Sequence, residues 1–154
     1  MRNVETLKSI GIYLNDDSQV FYPDFILWMI KDDTIYINFI DPKGQMGMQD
    51  ATTLLDNEKV KIADKTTNET LIRLEKELST THNKTFILNS FLLLRDSSIL
   101  GFNKPNDWIK ENLIDKNIFR LNWHETDEKE NKVAIDKLPD NKSYLDLIFE
   151  NIGS

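Results

Sequence analysis

The sequence predicts an α/β fold in which one domain, over residues 1–154, forms a mixed β-sheet flanked by helices. Segments rich in β-branched and aromatic residues alternate along the chain with segments of helical periodicity, which is typical of a sheet covered by helices. The length of 154 residues and the hydrophobic fraction of 40% suit a single hydrophobic core. We expect this core within residues 1–95 and C-terminal additions over residues 96–154.

The first third of the chain predicts a short helix followed by a three-stranded meander. Residues 1–8 are interpreted as the helix, and residues 10–14, 19–30 and 34–41 as the strands. Clusters of Asn, Asp, Ser and Thr between the strands predict turns. Residues 42–44, Pro-Lys-Gly, are predicted to end the meander, because proline cannot donate to a ladder and glycine permits a sharp exit.

The middle third predicts one helical segment and one central strand. The helical pattern covers residues 57–81, where Leu71, Leu74 and Leu78 form an apolar stripe. Residues 84–94 are apolar on both faces, as in the central strand of a sheet. The remaining predictions are a loop or short helix over 45–56, a helix over 106–114, a strand over 117–121, an exposed loop over 124–138 and a closing helix over 144–152.

Composition excludes several kinds of site. The chain has no cysteine, so it has neither a disulfide framework nor a thiolate zinc site, and two histidines are too few for an imidazole metal cage. No apolar run approaches the length of a membrane span, and no apolar segment follows the N-terminal Met-Arg. We therefore expect a soluble, cytoplasmic domain without a signal peptide.

The net charge of −7 is unusual for a nucleic-acid-binding protein, but the charge is unevenly distributed. Residues 57–104 are the one basic third of the chain, with a net charge of +2. In this third, Lys59, Lys61 and Lys65 suit contacts with a phosphate backbone. A solvated helix face is an equally good interpretation of these three lysines.

Three charged residues are predicted to converge at one end of the second hairpin. If the turn is centred between Asp32 and Asp33, paired residues have numbers that sum to 65, and Asp24 then faces Asp41. Directly opposed residues on one face of a sheet have Cβ atoms about 4.5–5.5 Å apart. Lys43 shares the face of Asp41 if the strand stays extended through the intervening proline.

Two opposed carboxylates are destabilising unless something positive or a shared proton lies between them. The candidates are a proton, the ammonium group of Lys43 and a divalent cation. Magnesium prefers oxygen ligands, is held by one or two carboxylates and keeps several waters. A metal at this position would polarise a phosphate oxygen and lower the pKa of a bound water.

The fragments Pro23-Asp24 and Asp41-Pro42-Lys43, separated by 16 residues, resemble the motif of the PD-(D/E)XK nuclease superfamily. The wider strings, residues 21–33 and 34–44, are most similar to the endonuclease domain at the C-terminal end of type III restriction enzymes and related DEAD/DEAH-box helicase proteins. The resemblance is strongest over residues 1–95. It implies a restriction-endonuclease-like core of αβββαβ order.

The resemblance also implies a function and a set of site residues. It implies a magnesium-dependent endonuclease of the restriction or defence type that hydrolyses DNA, with manganese as a substitute metal. Asp24 and Asp41 would hold the metal, Lys43 would position or activate the attacking water, and Glu5 would complete the site. Because the chain lacks a G-x-x-x-x-G-K-[ST] phosphate loop, a helicase or ATPase motor would lie elsewhere on the full-length protein or on another chain.

Two other interpretations remain open for the same residues. In the first, the chain is a nuclease-fold module that does not cut but binds nucleic acid or docks a helicase partner. In the second, Asp24, Asp41 and Lys43 form a buried structural triad in a small interaction domain. Of the aromatic residues, Trp28 is expected in the core, whereas Trp108 and Trp123 suit either the core or a base-stacking surface.

Overall fold

The computed structural model describes residues 11–13, 20–43, 55, 57–94, 106–120, 123–126, 132–135 and 144–153. The predicted helix over residues 1–8, and with it Glu5, lies outside the described residues, as does most of 45–56. Within the described part, the chain forms an α/β fold with a mixed four-stranded sheet flanked by helices, as predicted.

A small two-stranded sheet precedes the main one. It pairs β1 (Ile12–Tyr13) with β2 (Val20–Phe21) in an antiparallel arrangement. The main sheet begins with β3 (Phe25–Lys31), so the expected strand over residues 19–30 is in fact two strands in two sheets. Pro23 explains the break, since it lacks a backbone N–H and restricts the conformation of the residue before it.

The main sheet has the strand order β3, β4 (Thr34–Lys43), β5 (Thr85–Leu94) and β6 (Ile118–Arg120). Strand β3 is antiparallel to β4, whereas β4, β5 and β6 are parallel to one another. The parallel register requires a crossover between β4 and β5, and the helical segment after β4 provides it. Strand β5 is buried along almost its whole length, as predicted for a central strand.

The hairpin of β3 and β4 has the predicted register. Lys31 pairs with Thr34 across the two-residue turn, and every pair out to Phe25 and Ile40 has numbers that sum to 65. In the turn, Asp32 has a φ of 53°, in the left-handed region that aspartate tolerates better than most residues.

Strand β4 does not end at Pro42, contrary to the sequence prediction, but continues to Lys43 beside Leu94 of β5. In a two-residue hairpin the closing pair exchanges backbone hydrogen bonds, so the even-numbered residues of β4 direct their backbone groups toward β3. Pro42 is even-numbered and lies beyond the last β3–β4 pair. Its missing N–H therefore removes no ladder hydrogen bond.

The predicted helical segment 57–81 consists of two helices, α1 (Glu58–Ala63) and α2 (Glu69–His82). Asn68 lies between the two helices and forms a hydrogen bond with each. Its side-chain Nδ2 donates to the Ile62 carbonyl of α1 at 2.7 Å, and its Oδ1 accepts from the Leu71 N–H of α2 at 3.1 Å. An amide that caps the start of α2 is a typical helix N-cap, and here it also fixes the end of α1.

One face of the main sheet packs under α2. The predicted stripe is confirmed: Leu71 is buried, and Leu74 and Leu78 are partly buried against the same cluster. Odd-numbered residues of β4 and even-numbered residues of β3 and β5 supply the sheet side of this cluster, namely Ile26, Ile37, Phe39, Phe86 and Leu88. We call this the α2 face of the sheet.

The opposite face packs against the C-terminal helix α4 (Tyr144–Gly153), which contributes the buried Ile148. Between β5 and β6 the chain forms α3 (Asn106–Asn112) and a 3₁₀ turn (Ile114–Lys116). Helices α3 and α4 follow the predicted helices over 106–114 and 144–152, and β6 follows the predicted strand over 117–121. The sheet residues that pack with Ile148 on this α4 face are Tyr36, Phe91, Leu93 and Phe119.

The predicted loop over residues 124–138 is wrong for the described residues 124–126 and 132–135. The chain forms an antiparallel hairpin there, β7 (Trp123–Thr126) with β8 (Lys132–Ile135), in which His124 pairs with Ala134. The many charged residues of this region suggested a loop, whereas the short alternating segments around Trp123 and Val133 form strands. Among the described helices, none is both long and apolar enough to cross a membrane.

Candidate functional site

The hairpin register places Asp24 and Asp41 at one corner of the main sheet. The last pair of the ladder is Phe25 with Ile40. Asp24 immediately precedes this pair in a bend, and Asp41 immediately follows it within β4. Both residues are thus one step beyond the same pair, and the alternation of the strands assigns both positions to the α2 face.

Asp41 lies in the interior of the sheet because β4 has a neighbouring strand on each side. It lies beside Leu92 in the parallel ladder, and its side chain is 1% exposed. Both carboxylate oxygens are shielded from water. An ionised carboxylate that has left water requires compensation by a cation, a proton or hydrogen-bond donors.

Asp24 has a different environment from its predicted partner. It is only half-buried, between the buried Pro23 and the exposed Phe25. The corner therefore combines one enclosed carboxylate with one that reaches solvent. Such a pair suits a ligand that enters from the solvent side and is fixed by the enclosed group.

Lys43 meets the condition that its predicted role requires. Strand β4 remains extended through Pro42, so position 43 belongs to the same face as position 41. The side chain of Lys43 lies outside what the structure describes. The backbone alone brings the acid and lysine positions of the motif to one corner.

The donors at this corner suit a hard divalent cation. Two carboxylates are what magnesium commonly takes from a protein, with waters in the remaining positions. Within the described ranges, no group of three or more His, Asp and Glu side chains is close enough to hold a metal. The third acid implied by the resemblance, Glu5, lies outside these ranges.

The lysines predicted to contact phosphate belong to the connection between β4 and β5. Lys59 and Lys61 lie on α1, where the Lys61 side chain is exposed and that of Lys59 is outside the described set. Lys65 follows α1 and forms a salt bridge with Glu75 of α2, with Nζ 3.2 Å from Oε2. Lys65 is therefore engaged within the domain.

Asn38 is a positioning residue that the sequence analysis missed. It is fully buried in the middle of β4, where its Nδ2 donates to the Leu27 carbonyl of β3 at 3.2 Å. Its Oδ1 accepts from Nδ2 of Asn89, its ladder partner on β5, at 3.0 Å. This amide chain links three strands and fixes the register on which the pairing of Asp24 with Asp41 depends. The available signal was an asparagine at the centre of each of two otherwise apolar strands.

The tryptophans have different environments. Trp28 is 53% exposed, so the expectation that it lies in the core is wrong. Trp108 is half-buried and packs against a cluster that includes Val60 and Leu113. The side chain of Trp123 lies outside the described residues. Trp28 lies on β3, the outermost described strand on its side of the sheet, and Ile26 on the same face is buried, so the exposure is confined to the end of β3 near the turn.

Comparisons with family models, with curated proteins and with solved structures give no match to this chain.

Proposed function

We propose that the chain is a magnesium-dependent DNA endonuclease domain of the PD-(D/E)XK type, with a restriction-endonuclease-like core. The observation that carries this proposal is the placement of three motif positions at one corner. The register puts Asp24 and Asp41 beyond the same ladder pair, and the unbroken β4 keeps Lys43 on their face. In this proposal the domain belongs to a restriction or defence protein whose helicase motor lies elsewhere.

Each residue has a distinct role in this proposal. Asp24 and Asp41 hold Mg²⁺, for which Mn²⁺ substitutes, and the bound cation supplies charge stabilisation at the phosphodiester. Lys43 donates hydrogen bonds to the attacking water and to the developing negative charge on the phosphate oxygens. The enclosure of Asp41 strengthens its electrostatic interactions, because they act in a low-dielectric surrounding. The half-buried Asp24 leaves the solvent side open to the substrate.

A plasmid-nicking assay tests this function. The wild-type chain is incubated with supercoiled DNA and Mg²⁺, then with Mn²⁺, and compared with Lys43→Ala and Asp41→Asn. We expect both variants to lose nicking by at least about 100-fold, since each removes a group that acts on the reacting phosphate. Asp33→Asn is the matched control, because it removes a carboxylate from the exposed turn of the same hairpin.

Each outcome of the nicking assay supports or contradicts one interpretation of the site. Equal nicking by wild type and Lys43→Ala contradicts the proposed site. No nicking by the wild type with either metal favours a nuclease-fold module that does not cut DNA. Loss of nicking in Asp33→Asn would show that the assay reports the integrity of the hairpin rather than chemistry.

The shielding of Asp41 from water favours one second function, a nuclease-fold module that does not cut and instead binds nucleic acid or docks a helicase partner. The same shielding also suits the third interpretation, a small interaction domain in which Asp24, Asp41 and Lys43 form a buried structural triad. Removal of Lys43 then leaves two carboxylates uncompensated, and Lys43→Ala is expected to lower the free energy of unfolding by about 3 kcal/mol. Urea denaturation without metal measures this loss.

A further inference from the structure

Strand β3, the outer strand of the main sheet, carries two large apolar side chains in solvent. Trp28 is 53% exposed and Ile30 is 76% exposed. The two residues are two apart on one strand, so both lie on the α2 face. Their ladder partners, Ile37 and Ile35, pack under α2, whereas Trp28 and Ile30 extend beyond it.

The backbone of this stretch presents hydrogen-bonding groups away from β4. Lys31 and Thr34 close the two-residue hairpin, so the odd-numbered residues of β3 bond to β4. The even-numbered Trp28 and Ile30 direct their N–H and C=O groups to the other side. An outer strand of this kind is a template for the addition of a further strand.

On β5, by contrast, side chains of α2 accept hydrogen bonds from backbone N–H groups that point away from β4. Next to its N-terminal half, the Phe86 N–H donates to Ser79 Oγ at 3.0 Å, and the Leu88 N–H donates to Glu75 Oε2 at 2.9 Å. Side chains of α2 thus occupy two donors of β5 that no described strand pairs. At Trp28 and Ile30 the chain presents apolar surface, the arrangement that marks interaction sites.

Acidic residues border the exposed pair at both ends. Asp32 and Asp33 are exposed in the adjacent turn, the exposed Lys31 lies between Ile30 and these two acids, and Asp24 precedes the strand. Three acids and one base give the ends of the strand a net negative charge, which favours a basic partner. We propose that the Trp28–Ile30 stretch is a docking edge for an extended protein segment that alternates apolar and basic residues and adds to the sheet as a strand. Its apolar residues lie beside Trp28 and Ile30 on the α2 face, its basic residues lie on the opposite face, and the basic residue at its end reaches the acidic turn. This proposal stands independently of the nuclease function.

Binding of synthetic peptides to the full chain tests the proposal. The probe is a fluorescent hexapeptide of alternating lysine and valine, titrated by fluorescence anisotropy at low salt. The reference peptides replace lysine with glutamate, or replace one central valine with proline. We expect the lysine–valine peptide to bind more tightly than both references by at least about tenfold, because one reference reverses the charge and the other removes a strand donor.

Variants of the chain locate the binding. Ile30→Thr and the double variant Asp32→Asn with Asp33→Asn are each expected to weaken binding of the lysine–valine peptide by about fivefold or more. Asparagine tolerates the left-handed φ of position 32, so the double variant keeps the turn. Ile72→Thr is the matched control, since Ile72 is a 48% exposed isoleucine on α2, and it is expected to leave binding unchanged.

Several results would overturn the docking edge. One is that the lysine–valine peptide does not bind the wild type at millimolar concentration. Another is that the glutamate–valine peptide binds as tightly as the lysine–valine peptide. A third is that Ile30→Thr binds the lysine–valine peptide as tightly as the wild type does. Tighter binding of a thymidine oligonucleotide than of the peptide, lost in Trp28→Leu, would overturn it as well and assign Trp28 to base stacking.

Discussion

Strand β4 buries two polar side chains, and the difference between them separates a structural group from a candidate functional one. Asn38 lies at the centre of the strand on the α4 face, and Asp41 lies near its C-terminal end on the α2 face. They are 0% and 1% exposed. Asn38 is neutral and joins the strands on both sides through its amide, whereas Asp41 brings a carboxylate to a corner that holds a second one.

A neutral buried amide with partners costs little and specifies register, because any shift of the strands would leave it unsatisfied. A buried carboxylate beside another acid costs more and is retained where it has a task. This contrast predicts opposite consequences when the polarity of each residue is altered.

Asn38→Leu is expected to have the largest effect on stability. It removes the bond to the Leu27 carbonyl and leaves the Asn89 amide buried without its partner. We expect the free energy of unfolding to fall by about 2–3 kcal/mol, measured by urea denaturation.

The double variant Asn38→Leu with Asn89→Leu is the control for this prediction. Since it replaces both amides with apolar groups of similar size, it should recover a large part of the loss. If the two single losses simply add in the double variant, the amide pair does not act as a unit.

Asp41→Asn is expected to act in the other direction. It removes a charge from a buried position, so the metal-free chain should gain about 1 kcal/mol of stability. The same substitution should abolish the rise in Tm that Mg²⁺ produces in the wild type. Loss of stability together with an unchanged metal response would instead identify Asp41 as part of the structural triad.

Much of the fold was predictable from local pattern. The hairpin register followed from the Lys-Asp-Asp-Thr turn, and α2, β5 and α4 followed from their apolar periodicity. Pro42 was misjudged because the effect of a proline depends on which neighbour its nitrogen faces, and the sequence alone did not say where β3 would stop. The hairpin of β7 and β8 was missed because the many charged residues of this region favoured a loop over the two short strands that it forms.

The candidate site likewise combines features that follow from local sequence with features that depend on distant residues. The position of Asp24 and Asp41 one residue beyond the Phe25–Ile40 pair is a local consequence of the turn and could be deduced from spacing. The burial of Asp41 depends on β5 lying alongside, and this contact joins residues about 50 positions apart in the chain. The exposure of Trp28 likewise depends on the position of β3 in the strand order, which no local pattern encodes.

The smallest expected effect concerns the side chains of α2 that occupy β5. Glu75 accepts from the Leu88 N–H and pairs with Lys65, and both side chains are partly exposed to water. Because solvent screens the ion pair, the hydrogen bond to the backbone is the larger contribution. Glu75→Ala is expected to lower the free energy of unfolding by about 1 kcal/mol.

Glu77→Ala is the matched control for Glu75→Ala, since Glu77 is exposed two residues further along the same helix, and its effect should stay within about 0.5 kcal/mol. Hydrogen exchange gives a second measurement, because the Leu88 amide should lose protection in Glu75→Ala while the Phe86 amide, held by Ser79, keeps it. Equal losses of protection at both amides would mean that Glu75 stabilises the whole helix rather than this one donor. A selective loss would establish that α2 closes the N-terminal half of β5 to a further strand.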